Sequence, residues 1–323
     1  MTNKLPNPIC AFSVSKEGSC EPILGLQPIE QMVSETSYSW FHFDLNDPAF
    51  ELWAKSALSE TVANTLTQSE TRPRCDQMED GLILNLRGVN LNPATDPDDM
   101  VSIRIWVRQG LIISTRMRKM WAIDSIRNRM ETGKGPPSVS TFLAELINEL
   151  TNRIEKVSLE LVEGTDELEE GTINPTRSLT ADLASLRQSV IKIRRFVRPQ
   201  KEAIADLANG QLQELDTHAA SLLNEAANKT TRIMEELDAT SDRLKAIQDH
   251  LDMLHTSALG RNSYVLSVVA AIFLPLGFLT GLFGINVGGM PLVNADYGFW
   301  LITGGSALIG IVLFFAFRHL KWL

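Results

Sequence analysis

The chain is poor in cysteine. Its three, Cys10, Cys20 and Cys75, lie far apart in 323 residues and form no Cys-x-x-Cys pair. That argues against a disulfide framework or a cysteine-rich zinc site and fits a reducing compartment. Met1 to Cys10 has neither an apolar core nor a cleavage pattern, so no signal peptide is expected. No nucleophile–base pattern, Gly-rich phosphate loop or basic-aromatic patch stands out, which leaves no enzymatic signature. Lys and Arg are outnumbered 30 to 39, and the net charge of −9 speaks against a nucleic-acid partner.

Charge is absent altogether from two stretches near the C-terminus. Tyr264 to Phe283 and Phe299 to Phe317 contain no Asp, Glu, Lys or Arg. At about 1.5 Å per residue, some 20 helical residues cross a hydrocarbon core of about 30 Å. Two such runs in tandem read as a pair of membrane spans. Arg261 precedes the first; Arg318, His319 and Lys321 follow the second; the connection from Gly284 to Gly298 has no Lys or Arg and one acid, Asp296. The positive-inside rule places both chain ends in the cytoplasm and the connection outside. Everything before Tyr264 is therefore expected to be cytoplasmic.

Residues 1 to about 120 read as mixed α/β. Ser39 to Leu45 alternates and runs into Asn46-Asp47-Pro48, a strand leading to a helix start. Leu82–Leu86, Met100–Val107 and Leu111–Thr115 are further strand candidates, with a hairpin turn at Gln109-Gly110. Few helices separate them, so the sheet is expected to be mixed. From Ser138 the period becomes helical. Phe142, Leu146, Leu150, Ile154, Val157 and Leu161 form one stripe; Leu179, Leu183, Leu186, Val190, Ile193 and Val197 form another. Asn174-Pro175 between them implies a long antiparallel helical pair. Its tip carries Glu163, Asp166, Glu167, Glu169 and Glu170, either a solvated acidic tip or a surface that attracts cations. Arg198-Pro199 is expected to break the second helix, and Asn209-Gly210 to end a short third one.

Glycine and proline are missing from Gln211 to Leu259. Within that stretch Leu223, Ala226, Thr230, Ile233, Leu237, Thr240, Leu244, Ile247, Leu251, Leu254 and Ala258 step 3, 4, 3, 4 without a slip. This is a coiled-coil-like seam. Two threonines and two alanines make it a weak zipper, suited to several neighbouring copies. The helix is expected to continue into the first span, about 100 Å from Glu214 to Gly281. That span has a small-residue face, Ser263, Ser267, Ala270, Ala271, Gly277 and Gly281, and a mid-span Pro275 that bends it. Two spans cannot enclose a pathway alone, so a conducting protein must oligomerise.

Pro275-Leu276, Gly281, Gly284-Ile285-Asn286 and Met290-Pro291, followed by one last span and a short basic tail, resemble the CorA family of divalent metal ion transporters. That family carries Gly-Met-Asn at this turn. The isoleucine in Thr280-Gly281-Leu282-Phe283-Gly284-Ile285-Asn286 resembles the zinc-transporting ZntB branch, as do Lys321-Trp322-Leu323, Thr71-Arg72-Pro73-Arg74 and Ser114-Thr115-Arg116. The resemblance covers nearly the whole chain. It implies a funnel-shaped homopentamer in a bacterial inner membrane. The implied order is a cytoplasmic α/β domain with a long helical pair (1–210), a stalk helix (211–263), a pore-lining span (264–283), a periplasmic loop (284–298), a second span (299–317) and a basic tail (318–323). It makes Gly284, Ile285 and Asn286 the selectivity filter, with five Asn286 amides around a hydrated ion. It aligns Leu274, Leu266 and Ser263 with pore-facing positions and Asp249 with an acidic constriction. Gly277 stands where many relatives have a hydroxyl residue, and Leu292 where many magnesium-type members have Glu.

An amide ring suits the chemistry. A charged ring holds a divalent ion too tightly for rapid passage, whereas neutral oxygens brace its water. Ser263 to Phe299 contains no His and no Cys, the ligands zinc prefers. Zinc is thus implied by the branch resemblance alone. Asp252 and His255, at i and i+3, are a further candidate metal pair or polar residues on a solvated or inter-subunit face. No tightly bound cofactor is expected; the cation is cargo. The expected function is divalent-cation transport, zinc first, with magnesium, cobalt or nickel as the alternative. A membrane-anchored metal sensor or scaffold is the rival from a different class.

Overall fold

The alternation of Tyr38–Asp44 carries through to the structure as a strand with both faces covered. In this computed structural model, which describes residues 5–26, 28–34, 37–78, 81–173, 178–211, 216–284 and 295–319, seven strands form one sheet. They are β1 (Cys10–Val14), β2 (Cys20–Pro22), β3 (Tyr38–Asp44), β4 (Arg74–Met78), β5 (Gly81–Gly88), β6 (Val101–Arg108) and β7 (Leu111–Arg116). Their order is β2-β1-β3-β7-β6-β5-β4. Only β3 and β7 pair in parallel, so the sheet is mixed as expected. Gly110 turns β6 into β7 at φ 70°, and a Cβ there would lie 2.8 Å from the Ser34 carbonyl oxygen. Only glycine fits that turn.

Trp40 and Tyr38 face one core, Phe41 and Phe43 the other. The second core is closed by α2 (Pro48–Ala57) and α3 (Glu60–Thr67). Asp47 caps α2 by accepting from the Ala49 N–H, and Pro48 occupies the first turn, where its missing N–H costs nothing. The short α1 (Ile29–Met32) adds Met32 to the same core. The first core is covered by α4 (Trp121–Glu131) and α5 (Val139–Gly171), together with α6 (Leu179–Asp206) and the start of α7 (Thr217–Gly284).

Phe142, Leu146, Leu150, Ile154, Val157 and Leu161 are all buried on α5, and Leu179, Leu183, Val190, Ile193 and Val197 on α6. Pro199 does not end α6. The helix runs through it to Asp206 and closes in a π-helical turn, Leu207–Gln211. Burial holds the helix where propensity alone would stop it: Val197, Gln200, Ala203 and Ile204 are all buried, and the Gln200 Oε1 accepts the Arg87 backbone N–H at 2.7 Å.

The 3-4 seam of α7 has a different partner from the one expected. From Leu223 to Ile247 its residues are buried within a single chain. Ala219, Leu223 and Ala226 share a core with Leu143, Ile147, Ala203 and Ile204 of α5 and α6. Lys229 binds Asn152 and Glu155 of α5, and Asp238 pairs with Arg194 and Arg198 of α6. The threonines fit because their hydroxyls donate to carbonyls four residues back, Thr230 to Ala226 and Thr240 to Glu236. The seam is thus a three-helix packing surface. Asp216 sets the start of α7: its Oδ1 accepts from the Ala219 N–H at 2.7 Å, while Oδ2 accepts from Ser138, Ser140 and Thr141 at the start of α5. These four bonds hold its carboxyl below the usual range, the Ala219 N–H contributing most.

The chain divides into two units, Met1–Ile247 and Gln248–Leu323. The second comprises the last part of α7 and α8 (Gly298–His319).

Candidate functional site

In water, a helix survives with apolar side chains outward only if something else covers them. In the second unit almost nothing is covered. Leu266, Leu274, Phe273 and Phe278 of α7 are 66–72% exposed, and Phe299 and Trp300 of α8 are 71% and 74% exposed. Both helices are long and apolar enough to cross a membrane. A soluble core helix of this composition would be buried; these are not. Tyr297, Phe299 and Trp300 open α8 and Arg318 and His319 close it, an aromatic anchor at one end and a basic one at the other. The two helices meet closely at Gly310, where a Cβ would stand 3.8 Å from Leu276 Cδ1.

The residues of the expected pathway fall on the last part of α7. Asp249, Thr256, Ser263, Ala270, Gly277 and Gly284 recur every seven residues, and Met253, Gly260, Ser267, Leu274 and Gly281 interleave with them at steps of 3 and 4. The stripe begins acidic, passes through hydroxyls and ends in glycines. In the single chain all of it is exposed except the half-buried Ala270. At about 100° per residue, Asp249 lies on the opposite side of the helix from the buried Leu244 and Ile247. Leu266, three residues after Ser263, falls on the flank of the stripe rather than along it. Asp242 and Glu235, one and two heptads before Asp249, continue the same phase and are exposed. The signal for them was present in the spacing, and the sequence reading had not followed it below Asp249.

Gly284 is the last residue of α7. Ile285 and Asn286, the rest of the expected filter, lie outside the described residues, as do Met290-Pro291 and Leu292. Asp252 and His255 are exposed on α7, and the Asp252 Oδ1 accepts from Gln248 Nε2 at 3.0 Å. Among the described residues no group of three or more His, Cys, Asp or Glu is assembled to hold a metal. Among the described residues, then, Asp252 and His255 have no third ligand.

The acidic tip of the helical pair is partly neutralised. Arg243 of α7 donates to Asp166 and, through Nε and Nη2, to both oxygens of Glu169, at 2.9 and 2.7 Å. The bidentate contact holds the Glu169 carboxyl below its ordinary range and the Arg243 guanidinium above its own. For Asp166 and Glu169 the solvated-tip reading gives way to an inter-helix clamp. Among the described residues Glu163, Glu167 and Glu170 form no ion pair.

The match of residues 35–319 to the family model described as CorA-like Mg2+ transporter protein spans both units. The divalent cation transporter CmaX of Pseudomonas aeruginosa is 34% identical over 310 residues, covering 93% of this chain and 90% of its own. The zinc transport protein ZntB of Yersinia enterocolitica is 32% identical over 288 residues, covering 88% of each chain. The solved structure of full-length CmaX aligns over 100% of both chains, with a TM-score of 0.78 and 31% identity.

Proposed function

This chain belongs to the CorA-like transporter family, and from that premise we propose that it passes divalent cations across the bacterial inner membrane as a homopentamer, with zinc the first candidate. The observation that carries the reading is the α7 stripe: an acid at Asp249, then hydroxyls and glycines, leading without a charge to Gly284 and on to Ile285 and Asn286. Two spans with outward-facing apolar side chains need lipid on one side and further copies on the other. Five copies of the stripe enclose a narrow, weakly polar path. Such a path does not trap a divalent ion, and the filter at Asn286 supplies neutral oxygens where the ion leaves bulk water. Both chain ends are assigned to the cytoplasm from the basic residues flanking the spans. Two charges moving through 100 mV gain about 4.6 kcal/mol, enough to drive uptake without an enzymatic step.

Relatives of comparable identity carry the names ZntB and CmaX, so the broader divalent-cation reading stands beside zinc. Radioactive zinc uptake into proteoliposomes, with magnesium, cobalt and nickel as competitors, tests the choice. Zinc uptake resistant to equimolar magnesium supports the zinc reading. Magnesium uptake with none for zinc selects the broader one. No uptake of any of them from intact pentamers leaves the sensor or scaffold reading.

A further inference from the structure

Leu159 of α5 and Ile191 of α6 are 47% and 53% exposed. A lone exposed apolar side chain is ordinary; these two share a level and a neighbour. The pairing of α5 with α6 fixes the level. A Cβ on Gly164 would stand 3.4 Å from the Leu186 methyls, and one on Gly171 would stand 2.9 Å from a Leu179 methyl. Val157 and Ile193 line one cavity. The same antiparallel offset sets Leu159 level with Ile191, and Glu163 level with Arg187.

Both positions flank α7. Leu159 falls seven residues after Asn152 and seven before Asp166, which bind Lys229 and Arg243 of α7. Ile191 comes three residues before Arg194 and seven before Arg198, which hold Asp238 of α7. One uncovered apolar side chain thus stands beside α7 on the α5 side and one on the α6 side. Their charged surroundings are opposite in sign. Glu163 and Glu167 follow Leu159 on α5, whereas Arg187 and Arg195 bracket Ile191 on α6. All four are exposed, and among the described residues none of them has an ion-pair partner.

We propose that these faces are the two halves of one interface between copies of this chain: the Leu159–Glu163 face of α5 docks against the Ile191–Arg187 face of α6 in the next copy. The inference rests on the homopentamer reading and names a surface that closes the ring. A rotation about an axis along these helices keeps every residue at its own level. It therefore brings Leu159 to the neighbour's Ile191 and Glu163 to the neighbour's Arg187. A two-fold contact of the α5 face with itself would set acid against acid and repel. Unlike faces meeting head to tail have no such conflict, and a head-to-tail contact is the kind that closes into a ring. With a neighbour on each flank of α7, its exposed Glu235 and Asp242 are left turned toward the axis.

The test uses the full-length protein in mild detergent. Leu159→Cys combined with Ile191→Cys, treated with a short bismaleimide, should give a ladder from dimer to pentamer on a denaturing gel. Either substitution alone should give no more than the background of the native cysteines. Glu163→Arg and Arg187→Glu should each lower the pentameric fraction at low protein concentration about threefold or more, because each sets like charges together. The two combined should restore it, which a loss of folding would not. Pentamers by light scattering without the ladder overturn this interface and leave the pentameric transporter standing. So do charge reversals that change nothing, as solvated side chains would, or a combined variant that restores nothing. A wild-type protein that is monomeric in mild detergent overturns both the interface and the homopentamer.

Discussion

Arg243 and Glu169 face each other across α7 and α5 in a two-pronged ion pair, at 2.9 and 2.7 Å, near the last turn of α7 that packs against its own chain. Four residues on, Ile247 is the final buried residue of the seam; Leu254 is already 40% exposed. The clamp therefore marks where α7 stops packing against α5 and α6.

Replacing Arg243 with Ala should loosen that end of the helix at modest cost. The pair is largely exposed, so screening limits its worth to about 1 kcal/mol or less despite its good geometry. Hydrogen exchange should rise locally, over Asp238 to Ile247 and the end of α5, with the global melting temperature nearly unchanged. A drop of many degrees, or no local change, contradicts this.

Stability should fall in mild acid because of His42. The imidazole is wholly buried, with Nδ1 2.8 Å from the Ser114 hydroxyl, and burial, then Arg116 and Arg127, push its pKa down from 6.5 to about 3. The folded state thus holds His42 neutral while the unfolded chain protonates it. The sign follows: this contribution is complete above about pH 6.5 and is lost as pH falls from there toward 3. His42→Asn should cost some stability at pH 7.5 yet flatten the decline in melting temperature between pH 6.5 and 4.5. Parallel declines in the two proteins count against the assignment.

Much of the fold was readable because its signals are periodic. The 3-4 stripes of α5 and α6 match buried positions almost residue for residue, and the alternation at Ser39–Leu45 marks a strand, although its polar phase, Ser39 and His42, is buried too. What escaped has no such signal. The strand Arg74–Met78 is an edge strand, half exposed and written Arg-Cys-Asp-Gln-Met; it exists because β5 offers it a ladder. The strand Cys10–Val14 is likewise fixed by its pairing with β3. Pro199 misled because burial of its neighbours outweighs one lost hydrogen bond. The α7 seam showed that something packs there but not whose residues, since a heptad pattern is the same for a partner within the chain and one outside it. At the candidate site the apolar spans were plain from composition. The Arg243 clamp was not, because nothing local in the sequence links it to an acid 74 residues away.

Asp249 is the acid at the head of the stripe and is exposed in the single chain. Five copies around an axis should concentrate cations at the cytoplasmic mouth. Asp249→Asn should lower apparent cation affinity several-fold, an effect that shrinks as salt rises. Unchanged affinity and flux remove Asp249 from the pathway.

The most direct measurement of transport is zinc flux per pentamer in Asn286→Ala, with pentamer yield from light scattering on the same preparation. Five neutral acceptors at the point of entry, at roughly 1 kcal/mol net per hydrogen bond, make a barrier change of several kcal/mol when lost together. Each 1.4 kcal/mol is about tenfold in rate. The expected result is pentamers formed in normal yield with flux reduced a hundredfold or more. Normal flux per pentamer, with only the yield or melting temperature lowered, would show that Asn286 merely caps the helix, and would contradict a filter at Gly284-Ile285-Asn286.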